Sequence, residues 1–348
     1  MDHTVYIIIP TLAALIAAYF STPFFRILAV KLRILDLPNR RKIHKRATPL
    51  LGGLGVFSGL VAGVIINWQN LNFLLPVFYG AIIIVILGFI DDTRGLSARV
   101  RLFIELSLVL VISLMGIRVT FMPDTWWGNI SEIIITMFWV VGVTNAYNYL
   151  DGLDGLAAGS AVVNLFCFAA ILYGSAQYAL TAFVLSLMSG CLGFLPYNFR
   201  KAKIFLGDTG STLIGFLLAY IGIIGYWASD NVVKISIPIL ILGVPIFDMI
   251  FTTIMRIKEA KVKTFIEWLK YGGKDHFHHY LVDLGLSPIG AVLFIYFITF
   301  SLGISAIMVS NDRASEAFMS LAQAGIIFGI IAVLIVIGKK RRTGWNSN

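Results

Sequence analysis

Long apolar runs separated by short basic clusters are the feature that most limits what this chain can fold into. A continuous run of about 18 or more apolar residues has the length of a transmembrane helix, and the absence of apolar–polar alternation excludes a barrel. We predict an all-α polytopic membrane protein with about eleven transmembrane helices, or ten if the fifth and sixth runs, which have almost no spacer, are one span. The runs lie near 5–28, 50–67, 74–90, 102–118, 131–147, 156–174, 177–195, 211–228, 234–256, 289–309 and 318–338.

Composition agrees with a chain that is mostly surrounded by lipid. Charged residues make up 13% of it, whereas a soluble domain has about 25%. Cys167 and Cys191 both lie inside apolar runs, which excludes a disulfide framework and predicts helix packing. Residues 1–348 are expected to form one transmembrane domain, with inside loops near 29–49, 91–101, 148–155, 196–210 and 257–288.

The basic residues indicate which side of the membrane each loop faces, because Lys and Arg concentrate in cytoplasmic loops. With the N-terminus outside, 24 of the 27 Lys and Arg residues fall in inside segments, and only Arg118, Lys234 and Arg313 fall outside. The predicted topology therefore has its N-terminus outside and its C-terminus in the cytoplasm. Since the net charge of +9 comes from these short clusters, no nucleic-acid partner is expected.

Two adjacent carboxylates, Asp91 and Asp92, close the third run. Carboxylates at a membrane face suit a divalent cation and contact with a phosphate, and a solvated helix end is the alternative interpretation. Arg99 and Arg101 follow closely. Their guanidinium groups are suited either to phosphate oxygens or to anionic lipid head groups.

A second polar set recurs at every third position at the end of the fifth run. On a helix this spacing places the side chains along one stripe. No basic residue in the segment can pair with the carboxylates, and such groups at a membrane boundary favour a binding function over a structural one. Gly152 and Gly155 would let a ligand approach the backbone. The set consists of Asn145, Asn148, Asp151 and Asp154.

The segment from Asn198 through Phe205 to Ser211 leads into the eighth run. Its sequence Gly207-Asp208-Thr209-Gly210-Ser211 is typical of a turn that caps a helix. It is also suited to hold phosphate or metal, since it combines glycines, a carboxylate and hydroxyls at a helix N-terminus. The Gly-Lys-Ser/Thr ending of a nucleotide-binding P-loop is absent.

Three of the five histidines, His276, His278 and His279, lie in the last long inside loop. They lack the spacing of zinc ligands. Imidazoles change charge near neutral pH and can donate hydrogen bonds, so these side chains suit a diphosphate or a sugar.

Two further polar residues have two interpretations each. Lys45, beside His44 in the basic loop, is either a positive-inside residue or a contact for a lipid phosphate. Asp248, in the ninth run, is either a polar residue in helix packing or points into a pocket that the other polar segments form. Together the segments combine carboxylates for a metal with cations for phosphates at the lipid boundary. This predicts chemistry between a phosphorylated lipid and a diphosphate-bearing soluble substrate.

In this order, the segments resemble the motifs of the polyprenyl-phosphate N-acetylhexosamine-1-phosphate transferases of glycosyltransferase 4 type, closest to the WecA/TagO branch. The resemblance runs from about Arg40 to Leu286. It implies transfer of a sugar 1-phosphate from a UDP-N-acetylhexosamine to undecaprenyl phosphate with release of UMP. It also implies Mg²⁺ as cofactor, with Mn²⁺ as an alternative, and is compatible with a homodimer in the lipid bilayer.

The resemblance assigns roles to individual residues. The catalytic residues would be Asp91, Asp92 and Asp208. Of these, Asp208 and Asp92 would bind the metal and Asp91 would face the lipid phosphate as its base. The substrate-binding residues would be Lys45, Asn148, Asp151, Asp154, Asn198, Phe205, His276, His278 and His279. Among them, Asp154 and Phe205 would contact uracil and the histidines the sugar diphosphate.

The branch implies UDP-GlcNAc as the sugar donor and a bacterial cytoplasmic membrane with the site facing the cytoplasm. The product would enter a cell-envelope glycopolymer such as lipopolysaccharide or teichoic acid. Tyr280 stands where many relatives of this branch have arginine, which leaves the sugar open. Direct attack and a covalent phosphosugar on Asp91 or Asp92 are both open mechanisms. A transporter of a lipid-linked sugar is the alternative function, against which the one-sided charges and the lack of a repeat argue.

Overall fold

The structure, a computed structural model, describes residues 3–38, 47–271, 273, 275–310 and 313–345, with the backbone alone for 3, 4, 265, 270 and 340–345. Two short antiparallel strands, β1 (Leu35–Asp36) and β2 (Thr48–Pro49), accompany the helices. The helices are α1 (His3–Lys31), α2 (Gly52–Ile66), α3 (Leu75–Arg94), α4 (Ala98–Leu114), α5 (Trp126–Leu150), α6 (Leu156–Gly174), α7 (Tyr178–Asn198), α8 (Gly207–Ile224), α9 (Asn231–Ile241), α10 (Gly243–Lys258), α11 (Phe265–Lys270), α12 (Phe277–Asp283), α13 (Pro288–Val309) and α14 (Ala314–Trp345).

Each predicted apolar run coincides with helical structure to within several residues. In the part of the chain that the structure describes, eight helices are long and apolar enough to cross a membrane, or nine if α9 and α10 form one bent span. The apolar helices α2, with 15 residues, and α4, with 17, are shorter. The all-α polytopic architecture is confirmed, while the count of eleven spans and their orientation stay predictions.

The ninth predicted run is not one straight helix. It divides into α9 and α10, which meet at Leu242 at an angle of 76°. Pro245 has no amide hydrogen to donate to the carbonyl of Ile241, four residues earlier, so the helical hydrogen bonding is interrupted at this point. The bend directs α10 against α5, whose end carries the polar stripe.

The central helix of the bundle is α8. Every residue from Thr209 to Gly222 is buried, because α2, α3, α5 and α6 pack around it. A helix enclosed on all sides must be apolar around its whole circumference, and polar residues in α8 are accordingly concentrated in its first turns. This arrangement places the Gly207–Ser211 segment at one end of the bundle, among the ends of its neighbours.

Close packing of α1, α2 and α7 depends on small residues. Gly55, Gly59 and Gly63 recur every four residues along α2. A Cβ atom on Gly59 would lie 2.7 Å from the carbonyl oxygen of Ala14 and 2.9 Å from Cα of Gly190. Small residues at this spacing let membrane helices approach until their backbones touch.

A backbone ladder ties the start of α2 to the loop before α8. The amide of Phe205 donates to the carbonyl of Pro49 at 2.8 Å. The amides of Gly52 and Gly53 donate to the carbonyls of Phe205 at 2.9 Å and Leu206 at 2.8 Å. Because β2 also pairs with β1, the ladder connects the end of α1 with the starts of α2 and α8.

We expect Gly59→Leu to lower the free energy of unfolding in detergent by about 1–3 kcal/mol, the usual effect of overpacking. The added side chain would overlap α1 and α7. Gly329→Leu is the matched control, because nothing lies within 4 Å of a Cβ at that position of α14. Denaturant titrations followed by circular dichroism measure both changes, and equal effects would contradict the close packing of α2.

Candidate active site

The polar segments predicted from the sequence meet at one end of the bundle. Asp92, near the end of α3, accepts hydrogen bonds from the start of α8. Asn148, near the end of α5, donates to Asp208. The ring of Tyr149 stacks on His276, with ring centroids 4.9 Å apart. Residues that are more than a hundred positions apart in the chain are thus brought into one site.

The Asp92 carboxylate caps the N-terminus of α8. Its Oδ1 accepts from the amide of Asp208 at 2.8 Å, and its Oδ2 accepts from the amide and the hydroxyl of Thr209 at 3.0 and 2.6 Å. The first amides of a helix lack partners within it and carry partial positive charge, so a carboxylate stabilises them. The metal-binding role of Asp92 stays a prediction, and it would require the cation to share oxygens that already accept three hydrogen bonds.

Asp208 is linked to the polar stripe of α5. Its Oδ1 accepts from Nδ2 of Asn148 at 2.5 Å, and the same nitrogen lies 3.0 Å from the hydroxyl oxygen of Ser211. The Ser211 hydroxyl in turn donates to the carbonyl of Gly207 at 3.0 Å. Asn148 therefore contacts the predicted metal ligand directly, as a neighbour in a shared pocket would.

Asp91 contacts the start of α4 and the turn before it. Its Oδ1 accepts from the amide of Leu96 at 2.6 Å, and its Oδ2 lies 3.3 Å from Nη1 of Arg101. The Arg101 side chain is only 16% exposed, and its Nη2 also donates to Oδ1 of Asn145 at 3.4 Å. Of the two roles open to Arg101 from the sequence, a place inside the site is the one its contacts favour.

The pKa of Asp151 is raised by its surroundings, which include three other carboxylates. Burial, followed by the negative charges of Asp208, Asp92 and Asp154, raises the pKa of Asp151 to about 8. Crowded carboxylates disfavour one another's ionised forms, and a bound cation reverses that effect. The charge distribution in this end of the bundle is therefore suited to a positively charged ligand.

Oxygen donors for a magnesium ion are concentrated around Asp208. Mg²⁺ is usually held by one or two carboxylates, with waters and substrate phosphates completing its shell. Among the described residues, no three His, Cys, Asp or Glu side chains lie close enough to hold a metal by themselves. The donor set therefore fits an ion that the protein and a diphosphate would hold jointly, and Asp208 with Asp92 stay its predicted ligands.

Asp154 and Asn198 brace two loops against each other. Asp154 accepts from the amide of Ala202 at 2.8 Å. Asn198 is 3% exposed; its oxygen accepts from the amide of Gly155 at 2.9 Å, and its nitrogen donates to the carbonyl of Ile204 at 3.0 Å. These contacts describe a supporting role for Asn198, and substrate binding by either residue stays a prediction.

One face of α10 holds the histidine loop. Asp248 accepts from the amide of Phe277 at 2.6 Å and lies 3.1 Å from Nδ1 of His276. Arg256 is 1% exposed and forms two hydrogen bonds to the carboxylate of Asp275, at 2.7 and 3.1 Å. Of the two interpretations of Asp248, its contacts support the one in which its side chain reaches towards the site.

Arg256, Asp275 and Thr252 had not been assigned a role from the sequence. The hydroxyl of Thr252 lies 3.1 Å from both Oδ1 of Asp248 and the carbonyl oxygen of Asp275. A signal was present, since Asp248, Thr252 and Arg256 follow one another at intervals of four and so share a helix face. Three polar residues on one face of an otherwise apolar run indicate a polar partner.

His278 lies directly beside Gly152. It is 1% exposed, and neither ring nitrogen has a hydrogen-bond partner among the described residues. A Cβ on Gly152 would overlap Nε2 of this ring. Burial, aided by the nearby His279, lowers the pKa of His278 to about 3, so the ring is neutral near pH 7. Its nitrogens are therefore suited to the hydroxyls or amide of a sugar rather than to the charge of a phosphate.

Two predicted residues remain to be located. Phe205 is half-buried in the loop before α8, where its backbone takes part in the ladder with Pro49 and Gly52. Lys45 lies outside the described residues, as does His44. The substrate-binding roles of Phe205 and Lys45 stay predictions.

Comparison with known proteins gives a consistent result. A protein-family model described as glycosyl transferase family 4 matches residues 74–226, from α3 to the end of α8. A Bacillus subtilis protein named probable undecaprenyl-phosphate N-acetylglucosaminyl 1-phosphate transferase is 35% identical over 97% of this chain and 93% of its own length.

Two other relatives have similar names. A Mycobacterium tuberculosis decaprenyl-phosphate N-acetylglucosaminephosphotransferase is 30% identical over 90% of this chain and 86% of its own length. A Thermotoga maritima undecaprenyl-phosphate alpha-N-acetylglucosaminyl 1-phosphate transferase is 31% identical over 71% of this chain and 74% of its own length. All three names describe transferases, which agrees with the motif resemblance and not with the transporter alternative.

We expect Asp151→Asn to weaken the pH dependence of thermal stability in magnesium-free buffer. A carboxyl whose folded-state pKa is raised from 3.8 to about 8 binds more protons when folded than when unfolded. Stability therefore declines as the pH rises through that window. Melting temperatures measured in detergent from about pH 5 to about pH 8.5 should fall less for Asp151→Asn than for the wild type. Parallel curves would contradict the half-buried, crowded environment of Asp151.

Proposed function

The chain belongs to glycosyl transferase family 4, among the polyprenyl-phosphate N-acetylhexosamine-1-phosphate transferases that its motifs resemble, and we propose that it transfers N-acetylglucosamine 1-phosphate from UDP-GlcNAc to undecaprenyl phosphate. UMP would be the leaving product and undecaprenyl-diphosphate-GlcNAc the lipid product. The observation that carries the proposal is the gathering of Asp91, Arg101 and Asp208 at one end of a membrane bundle. Two phosphorylated substrates, one from the lipid and one from water, can both reach such a position.

The reaction brings two anions together, and the geometry supplies what that requires. An oxygen of the lipid phosphate would attack the β-phosphorus of the UDP-sugar, the bond from that phosphorus to the oxygen bridging the α-phosphate would break, and UMP would leave with the electron pair. Arg101 is positioned to neutralise phosphate charge beside Asp91. Asp91 would accept a proton if the lipid phosphate arrives protonated.

We propose Mg²⁺ as the cofactor, with Mn²⁺ as the alternative and Asp208 and Asp92 as the residues that would hold it. When bound, the ion would reduce the repulsion between the substrates and stabilise the charge on the leaving UMP. Asn148 would keep Asp208 in position through their hydrogen bond.

Direct attack is favoured over a covalent phosphosugar by the contacts of the two candidate nucleophiles. Both oxygens of Asp92 accept hydrogen bonds from α8. Both oxygens of Asp91 are likewise engaged, by Leu96 and Arg101. A carboxylate that attacks phosphorus must give up such contacts, whereas a base or an electrostatic contact can retain them.

The nucleotide sugar is proposed to lie between the end of α5 and the histidine loop. Asp151 and Asn148 line one side of this space, and His278 reaches Gly152 from the other. The neutral ring of His278 suits the hydroxyl or acetamido groups of the sugar. Uracil would lie near Asp154 and Phe205, in the loops that Asn198 braces.

We propose that the site faces the cytoplasm of a bacterial cell. The support is the charge bias, since 24 of the 27 basic residues fall in segments on the same predicted side as the site. UDP-sugars are made in the cytoplasm, which is the side from which the nucleotide would enter.

The test of the proposal is UMP release by purified protein supplied with undecaprenyl phosphate, magnesium and a panel of UDP-sugars. We expect UMP to form with UDP-GlcNAc and only when the lipid phosphate is present, because the lipid is the nucleophile. A higher rate with another UDP-N-acetylhexosamine would identify that sugar as the substrate instead. UMP release that does not require lipid would contradict lipid-phosphate attack.

We expect Asp208→Asn to lower magnesium-dependent turnover at least about a hundredfold, the usual scale for loss of a group that stabilises transition-state charge. Asp230→Asn is the matched control, since Asp230 caps the N-terminus of α9 through the amides of Val232 and Val233. That variant should turn over at the wild-type rate. If Asp208→Asn also keeps the wild-type rate while remaining folded, its assignment as metal ligand is wrong.

A further inference from the structure

Glu105 is a buried carboxylate outside the motifs of the sequence. It lies on α4, one helical turn after Arg101, and is 2% exposed. Its Oε2 accepts a hydrogen bond from Nδ2 of Asn145 at 2.8 Å, and its Oε1 has no hydrogen-bond partner among the described residues. Burying a carboxyl group in a membrane bundle is unfavourable, so its presence there requires a reason beyond packing.

The contacts of Asn145 provide a link between Glu105 and Arg101. The Asn145 nitrogen donates to Glu105 and to the carbonyl of Val141, at 2.8 and 2.9 Å. The carbonyl of Val141 can only accept a hydrogen bond, so the nitrogen of the amide must face it and the amide has one favourable orientation. In that orientation the Asn145 oxygen must face the other way, where it accepts from Nη2 of Arg101 at 3.4 Å.

Arg101 lies at the end of this chain of contacts, inside the site. Its Nη1 is 3.3 Å from Oδ2 of Asp91, and the negative charges of Asp208, Glu105 and Asp91 all act on it. Its guanidinium group has five N–H donors, of which these contacts use few, so a phosphate can bind it without displacing Asp91. Asp91 and Asn145 together set the direction in which those donors point, Asp91 through Nη1 and Asn145 through Nη2.

We propose that Glu105 is a positioning residue, which through Asn145 orients the guanidinium of Arg101 beside Asp91 to receive the phosphate of the lipid substrate. This inference rests on the proposed function for the identity of the substrate. Glu105 itself touches no substrate. Without it, the amide of Asn145 loses one of the two acceptors that hold it and can turn a nitrogen towards Arg101, which would repel the cation.

The first experiment measures how tightly undecaprenyl phosphate binds to the protein in nanodiscs, without UDP-sugar, and then the KM for each substrate. We expect Glu105→Leu to weaken lipid-phosphate binding and lower the corresponding kcat/KM by at least about tenfold, as displacement of a positioned group does. The KM for UDP-GlcNAc should change by less than about twofold. Glu105→Gln keeps an oxygen for the Asn145 nitrogen and should restore most of the loss.

Glu132→Leu is the matched control, because Glu132 is a similarly buried glutamate, 5% exposed, near the other end of α5. It pairs with Arg118 at 3.2 Å and accepts from the amides of Phe121 and Met122. Its loss should lower the melting temperature at least as much as Glu105→Leu and leave lipid-phosphate binding unchanged. If both variants weaken that binding equally, or if Glu105→Leu leaves it unchanged, Glu105 is structural and the inference fails.

A second experiment tests whether Glu105 acts through Asn145. Substitutions of residues that act as one unit are not additive. We expect the double variant Glu105→Leu/Asn145→Leu to bind lipid phosphate no more weakly than Asn145→Leu alone. Losses that multiply would show that Glu105 acts independently and would overturn the proposed path.

Failure of the role inferred for Glu105 can be distinguished from failure of the proposed function. A wild-type protein that binds lipid phosphate but releases no UMP with any UDP-sugar would contradict the function. The binding comparison between the Glu105 and Glu132 variants would still decide the role of Glu105, because it needs no turnover.

Discussion

Backbone contact between three helices at residues 207–210 is the constraint on which the rest of the site depends. A Cβ on Gly53 would overlap Gly210, and one on Gly88 would lie 2.5 Å from Cα of Thr209, so α2 and α3 both touch the main chain of α8. Only at this separation can the Asp92 carboxylate reach the first amides of α8. Unsatisfied amides are costly inside a membrane bundle. The close contact of α3 with α8 lets Asp92 cap the amides of α8, and this cap in turn stabilises the contact. Together they fix the position of Asp208.

Arg256 and Arg101 both lie near the site, and their contacts indicate different roles. Those of Arg256 stabilise the fold, and those of Arg101 suit substrate binding. Arg256 is fully buried and makes two hydrogen bonds with Asp275, which anchors the histidine loop to α10. Arg101 makes longer contacts, 3.3 Å to Asp91 and 3.4 Å to Asn145, and remains partly exposed. A guanidinium that is buried against a carboxylate stabilises the fold, whereas one that is partly exposed and keeps free donors can bind an incoming phosphate.

The all-α polytopic architecture could be predicted from the sequence, because long apolar runs favour helices that can cross lipid. The break at Leu242 was missed, although Pro245 lies where it cannot donate to Ile241. The site segments were found from local polar patterns, but the pairing of Asp92 with α8 joins residues more than a hundred positions apart. The supporting contacts of Asn198 were not predictable, since an amide is equally suited to a substrate and to backbone. The neutral charge state of His278 follows from its burial, which no local pattern encodes.

If the residues around Asp208 promote attack at the β-phosphorus of a UDP-sugar, that phosphorus must move to the lipid, and following it is the most direct test. UDP-GlcNAc carrying a radioactive label on the β-phosphate is incubated with the protein, magnesium and undecaprenyl phosphate, and the lipid is then extracted. We expect the label to move into the lipid fraction together with the sugar, while unlabelled UMP remains in water. Label that stays in water as UDP while the sugar moves to the lipid would contradict attack at the β-phosphorus, because the protein would then transfer the sugar without its phosphate.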